Sequence, residues 1–231
     1  STSPVYINSD ESSSRSSSRS SSRTITSIAG GRKDDRDDDG SITISGNGSN
    51  ISINERTGEI RDASGRVILS KSGGRIRIGE ALNGANLRTG GGEITVGRSG
   101  GKVVAHTGGG DITIGPLAGS AEAQTGAGDV RVDFSDVRSP SANITSGNGR
   151  VFITLPANFA GTLDLETAYT NNLGHRTSIK SDWPLSISES SYWDDSHGTP
   201  RRYVRARQSF GNGSGRISVN TVNGDIVIQR R

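Results

Sequence analysis

A short motif that recurs every 18 residues is the feature that most constrains the fold of this chain. In each copy a glycine precedes two β-branched residues that are two positions apart, and the clearest copies begin at Gly74, Gly92, Gly110 and Gly128. A second apolar pair lies between successive copies, so one pair falls about every nine residues. Apolar residues two positions apart indicate a strand with one buried face. Self-similarity at a fixed period is typical of a solenoid.

The spacing predicts an all-β protein, a parallel β-solenoid of the β-roll or β-helix kind, with two short strands in each 18-residue coil. Each strand would stack on the equivalent strand of the next coil, about 4.8 Å away. One sheet would bury bulky ladders, namely Ile76, Ile94, Ile112 and Val130, and Ile78, Val96, Ile114 and Val132. The facing sheet would bury mostly small residues, namely Ala85, Val103 and Ala121, and Leu87, Ala105 and Ala123.

The extent of this pattern predicts how the chain is divided. The apolar pairs begin near Ser41, include Ile51 and Ile53, and return after residue 210 with Ile217. We expect three parts: an N-terminal arm over 1–40, a β-solenoid domain over 41–231, and an irregular, aromatic-rich insertion over 168–210 within that domain.

Each bulky strand follows a corner of the form Thr/Ser-Gly-x-Gly, such as Thr107-Gly-Gly-Gly110 and Ser146-Gly-Asn-Gly149. A corner every nine residues predicts positive φ, which glycine and asparagine adopt readily. This requirement would account for the 33 glycines without invoking disorder.

These repeats resemble a family of bacterial adhesin-type domains built from T-x-N/G-G-D/E-I-x-V repeats. The stretch RISVNTVNGDIVI at 216–228 is especially similar, and the resemblance covers about residues 40–231. It implies a β-solenoid fold and an adhesive role. Likeness of fold alone does not identify a ligand.

The N-terminal arm combines one short strand pattern with a low-complexity segment. Val5, Tyr6 and Ile7 alternate as a lone strand would, and Ser12-Ser-Ser-Arg15 then occurs three times in succession. A Ser/Arg segment of this kind cannot bury a core. Either the arm adds its strand to the open sheet edge of a neighbouring subunit, or it is a tether or folds back on its own domain.

An acidic run in the arm partly matches a calcium-binding loop. Asp35, Asp37 and Asp39 precede Gly40 as in the D-x-D-x-D-G half of such a loop, but Gly46 stands where the closing glutamate belongs. The alternatives are a calcium site and a solvated acidic run. No other cofactor is predicted.

The insertion holds six of the ten aromatic residues of the chain, and three of them are candidate ligand contacts: Trp183, Tyr192 and Trp193. With Asp194 and Arg201 nearby, they would form a sugar-binding platform or an interface anchor. The alternative is a cap that shields the flank of the solenoid with a small core of its own.

No residue pattern predicts an active site. The run Asp194-Asp-Ser-His197 holds suggestive residue types, but catalytic triads converge in space rather than in sequence. We expect a protein that is not an enzyme. A net charge of +3, spread over mixed acidic and basic residues, does not form a nucleic-acid footprint. No apolar run approaches the roughly 20 residues of a membrane span.

Two functions fit this sequence. The first is a secreted or cell-surface structural and adhesive protein, a homo-oligomer or homopolymer that forms a fibre by end stacking and arm donation. The second is a monomeric cell-envelope module that binds a surface polysaccharide or a protein through residues 168–210.

Overall fold

The computed structural model describes residues 52–54, 59–62, 64–196 and 198–231. These residues form eighteen β-strands and no helix, so the predicted all-β class is confirmed. No helix within these ranges is therefore long and apolar enough to span a membrane. Two stacked sheets of mainly parallel strands, a long sheet of eleven and a short sheet of seven, give a β-solenoid-like fold.

The first nine strands in chain order are β1 (Ser52–Asn54), β2 (Glu59–Arg61), β3 (Val67–Lys71), β4 (Ile76–Ala81), β5 (Ala85–Thr89), β6 (Ile94–Ser99), β7 (Val103–Thr107), β8 (Ile112–Leu117) and β9 (Ala121–Thr125). The remaining nine are β10 (Val130–Phe134), β11 (Ser141–Ser146), β12 (Val151–Leu155), β13 (Gly161–Thr170), β14 (Ile179–Ser181), β15 (Ile187–Glu189), β16 (Arg201–Phe210), β17 (Gly215–Val222) and β18 (Ile226–Arg230). The long sheet has the order β1-β2-β3-β5-β7-β9-β11-β17-β13-β16-β15, and the short sheet has the order β14-β18-β12-β10-β8-β6-β4.

The core lies between the two sheets and consists of in-register ladders. In the short sheet Ile94 of β6 pairs with Ile76 on one side and Ile112 on the other. In the long sheet Val103 of β7 pairs with Ala85 and Ala121 in the same way. All fourteen ladder residues named from the sequence are at most 4% exposed, so the predicted bulky and small faces are confirmed.

The C-terminal strands β17 and β18 do not lie at the ends of the two sheets. Strand β17 lies between β11 and β13, and β18 lies between β12 and β14. Ile217 of β17 pairs with Ala142 on one side and with Leu163 on the other. Stacking in sequence order, which the repeat predicts, is therefore wrong here, because the chain fills an inner layer with its last residues.

Antiparallel strands close the long sheet at both ends. At one end β1 pairs antiparallel with β2, with Ile53 opposite Ile60, and β2 pairs antiparallel with β3. The parallel coil expected around Ile53 is therefore wrong. At the other end β16 runs antiparallel to β13, and β15 runs antiparallel to β16.

A ladder of hydroxyl groups joins the corners of neighbouring coils. The side-chain hydroxyl of each corner threonine donates to a glycine carbonyl of the adjacent layer, in the pairs Thr89–Gly74, Thr107–Gly92, Thr125–Gly110, Thr221–Gly149 and Thr167–Gly224. The last two pairs follow the spatial order of the layers rather than the chain order. The corner threonine therefore ties each layer to its neighbour, a role that the sequence pattern does not reveal.

At the Thr107–Gly110 corner the outer glycines are required by close packing rather than by positive φ. A Cβ on Gly108 would lie 2.0 Å from the Gly90 carbonyl oxygen, and one on Gly110 would lie 2.2 Å from the Gly92 oxygen. A Cβ on Gly109, between them, would have no heavy atom within 4 Å. None of these three glycines has a positive φ, so the predicted reason for glycine is wrong at this corner, whereas Gly74 (φ 80°) and Asn223 (φ 56°) of two other corners do adopt a positive φ.

Candidate binding surface at the capped end

The connection between β15 and β16 presents aromatic side chains at the end of the long sheet. Its base is fixed where Asp194 and Arg201 exchange two backbone hydrogen bonds, each 2.8 Å long. Tyr192 and Trp193 lie just before this bridge, and they are 69% and 41% exposed. We call exposed Tyr192 and Trp193, together with Tyr169 and Arg202 that contact the Trp193 ring, the aromatic cap.

Contacts on two sides hold the Trp193 ring. Tyr169 of β13 meets it edge to face, with ring centroids 5.6 Å apart and an interplanar angle of 81°. The guanidinium carbon of Arg202 lies 4.9 Å from the Trp193 ring centroid. An aromatic pair contributes about 0.5–1.5 kcal/mol, and a cation–π contact at an exposed site about 0.5–1 kcal/mol. The ring is thus oriented while much of its surface remains open.

A polar network lies beneath the cap. The Tyr169 hydroxyl donates to Glu189 Oε1, and Arg176 Nη1 lies 3.5 Å from Glu189 Oε2. Burial of the Tyr169 ring, together with the hydrogen bond to Glu189, raises the pKa of Tyr169. The hydroxyl therefore stays protonated at neutral pH and fixes the position of the ring that supports Trp193.

The opposite face of β16 is held by a second set of contacts. Tyr203 donates to Asp194 Oδ2 at 3.3 Å, and the Arg205 guanidinium carbon lies 4.6 Å from the Tyr203 ring centroid. Burial and the Asp194 carboxylate raise the pKa of Tyr203. Because successive strand residues point to opposite faces, Arg202 and Tyr203 anchor the two sides of one strand.

Two of the predicted aromatic contacts meet at the surface, and the third does not. Trp183 is only 6% exposed, and its ring packs edge to face against Phe159 at 5.9 Å. Phe210 packs on the other side of Phe159 at 6.3 Å. Trp183 therefore belongs to the main hydrophobic core, together with Phe159, whereas Tyr192 and Trp193 remain available to a ligand.

The other predicted site residues lie outside the described residues: Val5, Tyr6, Ile7, Asp35, Asp37 and Asp39. His197 is also outside them. Among the residues that the structure does describe, no group of three His, Asp or Glu side chains could hold a metal ion.

The sequence analysis missed Tyr169 and Arg202 as parts of this surface. Their pairing across β13 and β16 brings them together, although 33 positions separate them in the chain. The usable signal was the alternation in Val204-Arg-Ala-Arg207, which predicts a strand that buries Val204 and Ala206 and places Arg202 on the same face.

No protein-family model, curated protein or solved structure matches this chain.

Proposed function

We propose that this protein is a secreted or cell-surface adhesive module that binds a polysaccharide through the aromatic cap. The proposal rests on one observation: the exposed apolar side chains are concentrated in one part of the described chain. The large exposed hydrophobic residues of the described chain are Leu82, Ile187, Tyr192 and Trp193, and three of these four lie between positions 187 and 193.

The cap suits a sugar because it combines an open ring with polar groups. Tryptophan and tyrosine offer an apolar face and a hydrogen-bonding edge, a combination that is enriched at interfaces. Arg202 lies beside the ring and can donate to hydroxyl groups of a ligand. Because Tyr169 and Arg202 already orient Trp193, binding would cost little side-chain ordering. The proposal requires neither a catalytic group nor a cofactor.

The test compares cap variants with a matched surface control. The variant Tyr192→Ala/Trp193→Ala should lose at least about tenfold in affinity for immobilised dextran, mannan or peptidoglycan, whichever the intact chain binds. The control Leu82→Ala removes a side chain that is 57% exposed elsewhere, and it should bind normally. Equal binding by the cap variant and the control would contradict the proposal.

The proposal includes an 18-residue coil with two strands, interrupted by an insertion over 168–210. The registers support this unit, since Ala85 pairs with Val103 and Val103 with Ala121. The insertion is supported by the change from parallel to antiparallel pairing between β13 and β16.

Self-assembly into a fibre is the second candidate. Within the described ranges β4 pairs only with β6, so its other edge can receive a strand. Donation of the segment around Val5–Ile7 from a second copy would fill that edge. Electron microscopy of the full chain beside a version lacking residues 1–23 tests this candidate. Filaments from the full chain alone would support it, and compact particles from both would contradict it.

A further inference from the structure

A shallow groove lined mainly by polar residues lies on the outer face of the long sheet, away from the aromatic cap. It has a volume of about 420 Å³ and crosses the starts of β7, β9, β11 and β17. Four residues lie side by side in its first row, namely Lys102, Ser120, Ser141 and Arg216. Ser141 pairs directly with Arg216. Lys102 and Ser120 follow from the register one position further on, where Ala121 pairs with Val103 and with Ala142. We call this groove the serine trough.

The trough has a long cation at each end and short side chains between them. Three strand spacings separate Lys102 from Arg216, which is about 14 Å. Ser120 and Ser141 occupy the positions between them, and their short side chains leave space above the sheet there. A second row supplies Glu122, Asn143 and Ser218.

The two cations are positioned by carboxylates but remain open to solvent. Lys102 Nζ lies 2.7 Å from Glu122 Oε2, and Arg216 Nη2 lies 3.1 Å from Asp164 Oδ2. The lysine and arginine side chains are 56% and 60% exposed. An ammonium group has three donors and a guanidinium group five, so each can also bind an incoming carboxylate.

We propose that the serine trough binds an acidic oligosaccharide. Its carboxylates would pair with Lys102 and Arg216, since hydrogen bonds between charged groups are the strong ones. Its hydroxyls would meet Ser120, Ser141 and Asn143, which both donate and accept. An acidic peptide is a poorer fit, because this lining offers no apolar side-chain pocket for a peptide's own side chains. The site is independent of the cap and adds a second ligand contact to the module.

The test uses calorimetric titration of the full chain with a short oligogalacturonate. The variant Lys102→Gln/Arg216→Gln should bind at least about tenfold more weakly, because it loses charge-assisted hydrogen bonds. Ser141→Leu should also weaken binding, because it fills the floor without changing the charge. The control Arg77→Gln/Arg98→Gln removes two exposed positive charges from β4 and β6 and should bind normally.

Further titrations distinguish binding in the trough from binding at the cap, and binding of the saccharide from binding of other anions. Trp193→Ala should leave oligogalacturonate binding unchanged, and inorganic phosphate and polyglutamate should bind much more weakly. The proposal is overturned if the intact chain shows no binding, or if both trough variants bind normally while circular dichroism shows that they are folded. Equal affinity for phosphate or polyglutamate would overturn the saccharide assignment.

Discussion

At the scale of the residue, the two outer glycines of a corner differ from the middle one. The chain itself varies the middle position, which is Gly109 in one corner, Ala127 in the next and Asn148 in the one after that. The outer positions face the backbone of the neighbouring layer, where a side chain has no space. The pattern Gly-x-Gly is therefore a packing requirement between layers.

Gly110→Ala should lower the free energy of unfolding by about 1–3 kcal/mol, the usual cost of overpacking. The new Cβ would lie 2.2 Å from the Gly92 carbonyl oxygen. Gly109→Ala is the matched control, since nothing lies within 4 Å of its Cβ. Urea denaturation of both variants provides the measurement. Equal midpoints would mean that the layers do not approach at this corner.

The corner threonine supports a second prediction. Thr125 Oγ1 donates to Gly110 O at 2.8 Å and accepts from Gly128 N at 3.1 Å. Thr125→Val keeps the shape but leaves both backbone groups without this partner, which should cost about 1–3 kcal/mol. Thr113→Val, on the outer face of β8, should change stability by less than about 0.5 kcal/mol. If thermal unfolding showed the same small change for both, the hydroxyl ladder would not contribute to stability.

Asp62 at the turn between β2 and β3 makes stability depend on pH. Burial opposes ionisation, but hydrogen bonds from Ser64 and Arg66 outweigh it and lower the pKa of Asp62 from 3.8 to about 2. A lowered pKa stabilises the folded state above about pH 4, and this contribution is lost as the pH falls towards about 2. Asp62→Asn should therefore be less stable than the intact chain at pH 6 and equal to it near pH 2. A difference that does not change with pH would contradict this assignment.

At the scale of the element, the order of layers is what the sequence could not predict. The ladders of β4 to β10 follow directly from apolar spacing, because each residue's neighbour lies one repeat away. Every layer carries the same inward pattern, however, so periodicity cannot say which layer receives β17. That choice depends on contacts such as Thr221 with Gly149 and Thr167 with Gly224. Composition likewise could not distinguish buried Trp183 from exposed Trp193, because their burial depends on tertiary packing.

The inner position of β17 and β18 predicts an unusual effect of C-terminal truncation. Removal of residues 215–231 would take an inner strand from each sheet and leave β11 and β13 without their shared hydrogen-bonding partner. We expect loss of the cooperative unfolding transition, measured by circular dichroism and limited proteolysis. Truncation of a layer at the end of the stack would instead leave the other layers folded. A truncated chain with a melting temperature near that of the intact protein would contradict the layer order.

At the scale of the whole molecule, the described part of the long sheet ends in antiparallel strands, which fits the proposed binding module better than the fibre. Antiparallel strands bound the long sheet on both sides, and a short edge of this kind discourages pairing with another chain. At the cap end, the exposed Tyr192 and Trp193 lie in the connection between β15 and β16. The trough lies on the flat outer face, so one module would offer two distinct ligand contacts.

The central claim is that the exposed end of the aromatic cap is the recognition surface, and tryptophan fluorescence tests it most directly. The chain has two tryptophans, so Trp183→Phe leaves only Trp193 and Trp193→Phe leaves only the buried ring. Both variants would be titrated with the polysaccharide that the intact chain binds. We predict a saturable change in Trp193 emission and no change in the variant that retains Trp183. Unchanged Trp193 emission while binding persists would contradict the claim.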